Sequence, residues 1–270
     1  MDGGSFRVRK GAMKYFKNDI GSFHYEETVL PSVINVLNLV KEYPSILRPF
    51  RGMNEKVGEI LASAGFLLYP TVKKTGLFYE SSTDCFFKIL YPLTLKYKIY
   101  SFFSDKARSV YLLSLNLLSN GIRVPDIAAY GMFRKGRIPF FVMKRVGGKS
   151  LYDTLVKGNG VLSWETYVKI IDEVARFHLL GYWFADAHLS HVLMRDTGVS
   201  GFIDIDSMRK NRPFRLKNLA KDLAGLNHPK LPLSENEKKK LLHFYMDRMN
   251  ISNREKFLQM IKFYAGRRWS

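Results

Sequence analysis

A pair of adjacent glycines, Gly147-Gly148, divides this sequence into two parts with different hydrophobic periodicity. Between about residue 66 and the glycines, short apolar runs alternate with turn-forming residues, a pattern that predicts an antiparallel sheet. After the glycines, apolar residues recur mainly at helical spacing. A chain with this order is expected to form an α+β fold, with a sheet lobe followed by a mainly helical lobe.

The clearest predicted strands before the glycines form a hairpin. Leu77–Glu80 and Cys85–Leu90 are rich in apolar and aromatic residues, and the turn-forming segment Ser81–Asp84 separates them. Three more elements are predicted after the hairpin: a helix over about 105–119 and strands near 127–130 and 138–143.

The residues before the sheet pattern form a further segment. The apolar run Val29–Val40 and the shorter piece Glu55–Ala64 both have helical periodicity, so we predict an N-terminal helical extension. The predicted domains are this extension over 1–65, the sheet lobe over 66–146 and the helical lobe over 147–270.

The chain carries a large excess of positive charge. Its 270 residues include 43 Lys and Arg against 24 Asp and Glu, a formal net charge of +19. Such a charge favours a polyanionic partner: nucleic acid, an anionic membrane surface or a phosphorylated substrate. The hydrophobic fraction of 46% excludes a disordered basic tail, because such a chain can bury enough apolar surface to fold.

Cysteine content and hydrophobic run lengths indicate the compartment. The single cysteine, Cys85, excludes an intramolecular disulfide and favours a reducing environment. The first residues lack the apolar segment of a secretory signal, and no apolar run is long enough to span a bilayer. We therefore expect a cytoplasmic protein whose membrane contacts are peripheral.

Two aspartates stand in apolar surroundings after the glycines. Asp186 lies in the loop between a predicted helix that ends at Gly181 and a predicted strand that begins at His191. Asp204 lies between two isoleucines at the end of a predicted buried strand. Because an unpaired buried carboxylate is costly, Asp204 is expected to be paired, to bind a cation or to face a cleft.

The spacing of these residues resembles the catalytic segment of protein-kinase-like phosphotransferases. His191 follows Asp186 by five positions, and Asp204 follows it by eighteen. Asp186–Leu193 also matches the Asp-x-x-x-x-His-x-Leu pattern of the bacterial lipopolysaccharide core kinases, which are the heptose kinases and their relatives that phosphorylate Kdo.

Other segments extend this resemblance over roughly residues 77–226. Phe86–Leu90 is similar to the family's strand whose lysine holds the nucleotide phosphates, and Ile138–Arg145 is similar to its last sheet-lobe strand and hinge. Ile203–Arg209 resembles an Ile-Asp-x-x-Arg-like segment, and Lys221–Leu223 resembles a Lys-Asp-Leu motif.

The resemblance implies a two-lobed protein-kinase-like fold and transfer of phosphate from ATP to a sugar hydroxyl, of heptose or Kdo, in the lipopolysaccharide inner core. Asp186 would then orient and deprotonate the acceptor hydroxyl. Lys88 would bind the ATP phosphates. The backbone around Lys144, Arg145 and Val146 would bind adenine. Taken alone, Lys88 would be interpreted as an ordinary edge-strand cation, and it is the spacing to Asp186 and Asp204 that favours the functional role.

The resemblance also implies a magnesium site. Asp204 supplies the hard oxygen ligand that Mg²⁺ prefers, and His191, a softer ligand, binds the metal or holds the loop. Asp206 is a second candidate ligand if the strand continues far enough for it to share a face with Asp204. Asp222 is expected to hold the catalytic loop from a helix, and His178 is predicted to be a core histidine.

Departures from the family pattern keep alternatives open. Where the family has a glutamate to pair with its lysine, this chain has Arg108, Ser109 or Val110, and it has no Gly-rich phosphate loop. An inactive kinase fold is therefore an alternative. A protein Ser/Thr or Tyr kinase on the same fold is another, although the missing Gly-rich loop and His191 disfavour it.

The charge itself allows another function. A basic nucleic-acid-binding protein has charge as its only support, because no helix-turn-helix, RNA-recognition or zinc pattern is visible. The favoured partners are ATP, an anionic glycolipid or sugar, and the anionic cytoplasmic face of the inner membrane.

Overall fold

The structure, a computed structural model, describes residues 13–49, 54–71, 75–95, 105–196 and 198–270. These residues form two compact units. The first comprises the described residues up to Ser119 together with Pro125–Arg145, and the second comprises Asn120–Val124 and Val146–Ser270. The first is built on a sheet and the second is mainly helical, so the predicted α+β fold class is confirmed.

The first unit contains a seven-stranded antiparallel sheet with the order β1-β2-β6-β7-β5-β4-β3 among the described residues. Its strands are β1 (Lys14–Lys17), β2 (Gly21–Tyr25), β3 (Phe66–Tyr69), β4 (Thr75–Glu80), β5 (Cys85–Leu90), β6 (Ile127–Phe133) and β7 (Ile138–Lys144). Its helices are α1 (Leu30–Glu42), α2 (Glu55–Ser63) and α3 (Lys106–Ser119).

Paired aromatic side chains form the core beside the predicted hairpin. Phe78 and Phe87 are register partners on β4 and β5, and their stacked rings have centroids 5.3 Å apart. Phe66 on β3 packs edge-on against both rings. Such pairs add about 0.5–1.5 kcal/mol beyond the burial of their area. Because β3 and β7 flank the hairpin, it lies in the interior of the sheet rather than at its edge.

The N-terminal segment differs from its prediction. The structure has helices α1 and α2 within the stretch predicted to be helical, but β1 and β2 precede them and β2 pairs with β6. Lys14–Tyr25 therefore belongs to the sheet and is not part of a helical extension. Two strands of four and five residues are too short to give a readable alternation of apolar and polar positions.

The second unit is mainly helical, with small strand pairs. Its strands are β8 (Lys149–Ser150), β9 (Tyr182–Trp183), β10 (Val192–Arg195), β11 (Gly198–Phe202) and β12 (Arg209–Lys210). Its helices are α4 (Trp164–Leu179), α5 (Leu216–Leu226), α6 (Glu235–Arg248) and α7 (Arg254–Trp269), and a π-helical turn covers Tyr152–Lys157.

Serine caps fix the start of two of these helices. The Ser163 side chain accepts a hydrogen bond from the Thr166 N–H at the start of α4. Ser234 and Glu237 form a reciprocal capping box at the start of α6. Among the described residues, no helix has the length and apolar character needed to cross a membrane.

The close approach of β2 to β6 is testable at Gly131. A Cβ atom there would lie 2.4 Å from the Phe23 Cβ and 2.4 Å from the Ser22 carbonyl oxygen. Gly131→Ala should lower the free energy of unfolding by about 1–3 kcal/mol, because β2 must move away from β6. Urea denaturation measures this change.

The matched control is Gly58→Ala on α2. A Cβ atom at Gly58 meets only an ordinary contact, 3.8 Å from Leu68, and should stabilise the helix by about 0.5–1 kcal/mol. Equal effects of the two substitutions would contradict the pairing of β2 with β6.

Candidate active site

The loop over residues 184–191, which contains Asp186, is held at both ends by antiparallel strand pairs. β9 enters the loop and pairs with β12, while β10 leaves it and pairs with β11. The segment 203–208, which contains Asp204, connects β11 to β12. Loop and segment therefore join the same two strand pairs and must lie side by side. This topology brings together two aspartates that are eighteen positions apart.

Hydrogen bonds join the loop to the segment beside it. The Ile203 N–H donates to the His191 carbonyl oxygen at 2.9 Å, which extends the β10–β11 pairing by one step. The Ser207 hydroxyl lies 2.8 Å from the Asp204 carbonyl oxygen and 3.2 Å from that of Phe184. Asp204 is thus fixed next to the start of the loop.

The backbone is in the left-handed region at one residue of each segment. Ala185 has φ +64° and Asp204 has φ +63°. This conformation costs a residue with a Cβ atom about 1–3 kcal/mol, and residues held in it cluster at functional sites. Alanine is not among the types that tolerate it well, so the surrounding contacts must impose it.

The position of Asp204 corrects one prediction. The sequence placed Asp204 at the end of a buried strand, but β11 ends at Phe202 and Asp204 lies in a turn closed by Ser207. The strand therefore does not continue to Asp206, and the shared strand face that would make Asp206 a second ligand does not form. The carboxylate oxygen chemistry of Asp204 still suits Mg²⁺.

A buried polar cluster lies directly behind the start of the loop. Asp222 on α5 is 1% exposed, and its Oδ2 accepts a 2.6 Å hydrogen bond from the Phe184 N–H. The same oxygen lies 3.2 Å from Nε2 of His178, whose Nδ1 lies 2.7 Å from the Tyr245 hydroxyl. Asp222 therefore makes the contact that holding the loop requires, and His178 is a fully buried histidine with both nitrogens bonded.

Burial and hydrogen bonding have opposite effects on the pKa of Asp222. Burial raises the pKa of its carboxyl above the ordinary value, and the hydrogen bonds from His178, Phe184 and Ala185 oppose this rise. These hydrogen bonds therefore stabilise the charged form of Asp222, and the Asp222 carboxylate in turn is the acceptor that these buried donors need.

Helix α5 makes a second close approach to the loop at Gly225. A Cβ atom there would lie 2.3 Å from the Ala187 carbonyl oxygen, so only glycine allows this contact. Asp222 and Gly225 therefore fix the backbone on both sides of Asp186, and the Asp186 side chain is left 64% exposed.

His191 is oriented by the loop. Its Nδ1 lies 3.0 Å from the Asp186 carbonyl oxygen, an acceptor, so Nδ1 carries the proton and Nε2 is left as the accepting nitrogen. No group of three or more His, Cys, Asp or Glu in the described part of the chain could hold a metal alone. Mg²⁺ does not need one, because it commonly binds through one or two carboxylates together with substrate phosphates.

Lys88 lies in the first unit, in the interior of the sheet. It is on β5 between Leu77 of β4 and Phe141 of β7, and it is only 7% exposed. The alternative interpretation as an edge-strand cation is therefore wrong. Lysine is rarely buried to this extent unless it is paired.

The predicted adenine-binding residues are mostly engaged within the sheet unit. The Lys144 N–H donates to the Asp126 carbonyl oxygen at 2.9 Å, and the Arg145 N–H donates to that of Asp84 at 3.0 Å. Their side chains form ion pairs with the same aspartates. These two N–H groups are therefore not donors to adenine, which leaves the backbone of Val146 as the predicted donor.

Some residues of the candidate site were not predicted from the sequence. Ser207 and the C-terminal residues Arg268 and Trp269 all lie at or beside the loop. Nothing in a linear pattern relates Arg268 to a loop eighty-two positions earlier.

Comparison with known structures finds kinases. The chain is similar to the bifunctional kinase-methyltransferase WbdD, with 16% identity and a TM-score of 0.48 over 72% of this chain and 43% of that chain. A co-crystal structure of WbdD with the kinase inhibitor LY294002 matches with 17% identity and a TM-score of 0.47, over 73% and 44%. The PknI kinase domain of Mycobacterium tuberculosis matches with 14% identity and a TM-score of 0.39, over 75% and 96%.

The chain spans less than half the length of the WbdD structures that it matches. No family profile matches the chain, and no curated protein matches it. With TM-scores below 0.5, the matched structures add no weight to a function. The chain's own sheet unit followed by a helical unit is the order expected of a protein-kinase-like fold.

The contact of Asp222 with the loop leads to a stability prediction. Asp222→Ala leaves the Phe184 N–H and His178 buried without their acceptor, so the free energy of unfolding should fall by about 3–5 kcal/mol. Asp222→Asn keeps an oxygen acceptor and should lose less. Denaturant unfolding followed by circular dichroism measures both.

The control for Asp222 is Asp172→Ala on α4. Asp172 forms a partly exposed ion pair with Arg248, at 2.7 Å, and should lose only about 0.2–1 kcal/mol. A loss at Asp222 as small as this would mean that the buried cluster does not hold the loop.

His188 in the loop gives a pH prediction. Burial, with the nearby charges of His191 and Arg268, lowers the pKa of His188 below its ordinary value of 6.5. The unfolded chain then binds the proton more readily, so stability present at higher pH is lost as the pH falls through about 6.5 and below. Unfolding at pH 7.5 and pH 5.5 should show this loss, and His188→Asn should reduce it. An unchanged pH dependence in the variant would contradict the burial of this side chain.

Proposed function

We propose that the chain is an ATP-dependent phosphotransferase that phosphorylates a sugar hydroxyl, of heptose or Kdo, in the lipopolysaccharide inner core. One observation carries this proposal: the loop with Asp186 and the segment with Asp204 connect the same two strand pairs and lie side by side. One aspartate is exposed on a loop fixed from behind, and the other lies in the turn beside it.

Phosphoryl transfer requires positioning and charge neutralisation more than covalent chemistry by the protein. Asp186 accepts the proton of the acceptor hydroxyl and orients its oxygen toward the γ-phosphorus of ATP. Asp222 and Gly225 keep the backbone of Asp186 in place during this step. When bound, Mg²⁺ neutralises phosphate charge, with Asp204 as its carboxylate ligand and His191 Nε2 as a weaker candidate.

Lys88 and Val146 are the proposed nucleotide-binding residues. Lys88 supplies a positive charge to the ATP phosphates from a sheet strand, and the backbone of Val146 contacts adenine. The position of Lys88 supports this role, since its backbone is paired with a strand on each side.

The choice of acceptor rests on sequence and charge. The Asp-x-x-x-x-His-x-Leu pattern over 186–193 supports a lipopolysaccharide core sugar over a protein side chain. The net charge of +19 supports an anionic glycolipid at an anionic membrane surface, where each cation near the surface contributes about 1 kcal/mol. We propose the cytoplasmic face of the inner membrane as the place of the reaction.

The proposal is tested by transfer of labelled phosphate from ATP to purified lipopolysaccharide core oligosaccharide in the presence of Mg²⁺. Wild type should label the oligosaccharide, and Asp186→Asn should lower the rate by about 10²–10⁴-fold, because the general base is lost. Asp172→Asn, an equal change of charge on α4, should retain the wild-type rate.

Each alternative has its own outcome in the same assay. Transfer to casein but not to core oligosaccharide would favour a protein kinase, and no transfer to either would favour an inactive kinase fold. Equal labelling with Asp186→Asn would contradict the role of Asp186. Binding to duplex DNA at physiological salt without any transfer would favour the nucleic-acid-binding function.

A further inference from the structure

The exposed carboxylate of Asp186 has one hydrogen-bond partner in the described part of the chain, and it comes from the C-terminal helix. Nη2 of Arg268, near the end of α7, lies 3.1 Å from Oδ1 of Asp186. The contact joins residues eighty-two positions apart. Oδ2 contacts no donor among the described residues, so the two oxygens of this carboxylate differ in their surroundings.

The end of α7 is anchored where Arg268 projects. The Trp269 Nε1–H donates to the Ala224 carbonyl oxygen of α5 at 3.0 Å. Its indole packs edge-on against the ring of His228, with centroids 4.7 Å apart. The Arg268 guanidinium lies 5.4 Å from the centroid of the Trp269 ring. The arginine therefore starts from a fixed helix end and is not a freely moving surface cation.

The path of the Arg268 side chain depends on α5 as well. Its Nη1 would lie 3.2 Å from a Cβ atom at Gly225, so the guanidinium passes directly over this glycine. The Arg268 side chain is 30% exposed, half the exposure of the Asp186 side chain that it reaches. The glycine that lets α5 approach the loop thus also makes room for the arginine.

We propose that Arg268 is a positioning residue for Asp186: it holds Oδ1 and thereby directs Oδ2 toward the acceptor hydroxyl. This inference rests on the proposed phosphotransferase function. In the transfer, the hydroxyl proton moves to Oδ2, the acceptor oxygen bonds to the γ-phosphorus, and the bond from that phosphorus to the bridging oxygen of ADP breaks. Arg268 exchanges no atom in this step.

The physical reason is the geometry of a general base. A carboxylate on an exposed loop can turn about its side-chain torsions, and most of its orientations do not place an oxygen against the acceptor hydroxyl. A hydrogen bond from a charged and planar donor to one oxygen selects the torsions that leave the other oxygen outward. The C-terminal helix thereby completes the active site of the second unit.

The test compares Arg268→Gln with Arg267→Gln, which removes the same charge from the neighbouring position. Arg267 lies over the Phe263 ring instead of Asp186. Arg268→Gln should lower kcat for phosphorylation of core oligosaccharide at least tenfold without changing KM for ATP, and Arg267→Gln should keep both. Arg268→Lys, which keeps a cationic donor, should recover part of kcat. Equal rates for Arg268→Gln and Arg267→Gln would overturn the inference.

A second measurement is independent of activity. Thermal unfolding of Arg268→Gln, Asp186→Ala and the double variant forms a cycle that isolates the coupling between the two side chains. A measurable coupling, with none between Arg267 and Asp186, supports the contact. Zero coupling overturns the inference even if the enzyme is active. If wild type transfers no phosphate while the coupling is present, the contact stands and the proposed function fails.

Discussion

The hydrogen bond from the Phe184 N–H to the buried carboxylate of Asp222 is the interaction on which the candidate site depends. Burying a carboxylate is unfavourable unless donors surround it, and here the donors come from the loop and from His178. His178 in turn reaches the hydroxyl of Tyr245. Three helices, α4, α5 and α6, therefore meet at one polar cluster, and the loop is joined to all of them. A loop attached in this way can carry an exposed Asp186 and still keep it in one position.

The same helix, α5, organises the rest of the site. Its Gly225 allows the Ala187 carbonyl oxygen and the Arg268 guanidinium to come close to the helix, while its Ala224 carbonyl oxygen holds Trp269. Substituting this glycine would therefore disturb the loop and the C-terminal helix together. The left-handed backbone at Ala185 fits this description, because an unfavourable conformation persists only where neighbouring contacts impose it.

Much of this organisation was readable in the sequence, because it is local. The hairpin that carries Lys88 and the spacing of Asp186 and Asp204 lie in short segments whose patterns predict strands, turns and a loop. Contacts between distant segments were not readable. The strand β2 reaches its partner through more than one hundred intervening residues, and a basic residue near the C-terminus such as Arg268 looks like any solvated cation. The turn at Asp204 could not be predicted for another reason: its apolar neighbours have the composition of a strand.

The central claim is that Asp204, in the turn beside the Asp186 loop, binds the metal of the proposed metal–nucleotide complex. A crystal structure of the protein with Mn²⁺ and a non-hydrolysable ATP analogue tests it most directly, because the anomalous signal of manganese locates the metal without reference to the protein. Manganese is expected on a carboxylate oxygen of Asp204 and on the phosphates of the nucleotide. Nucleotide bound elsewhere, or manganese without contact to Asp204, would contradict it.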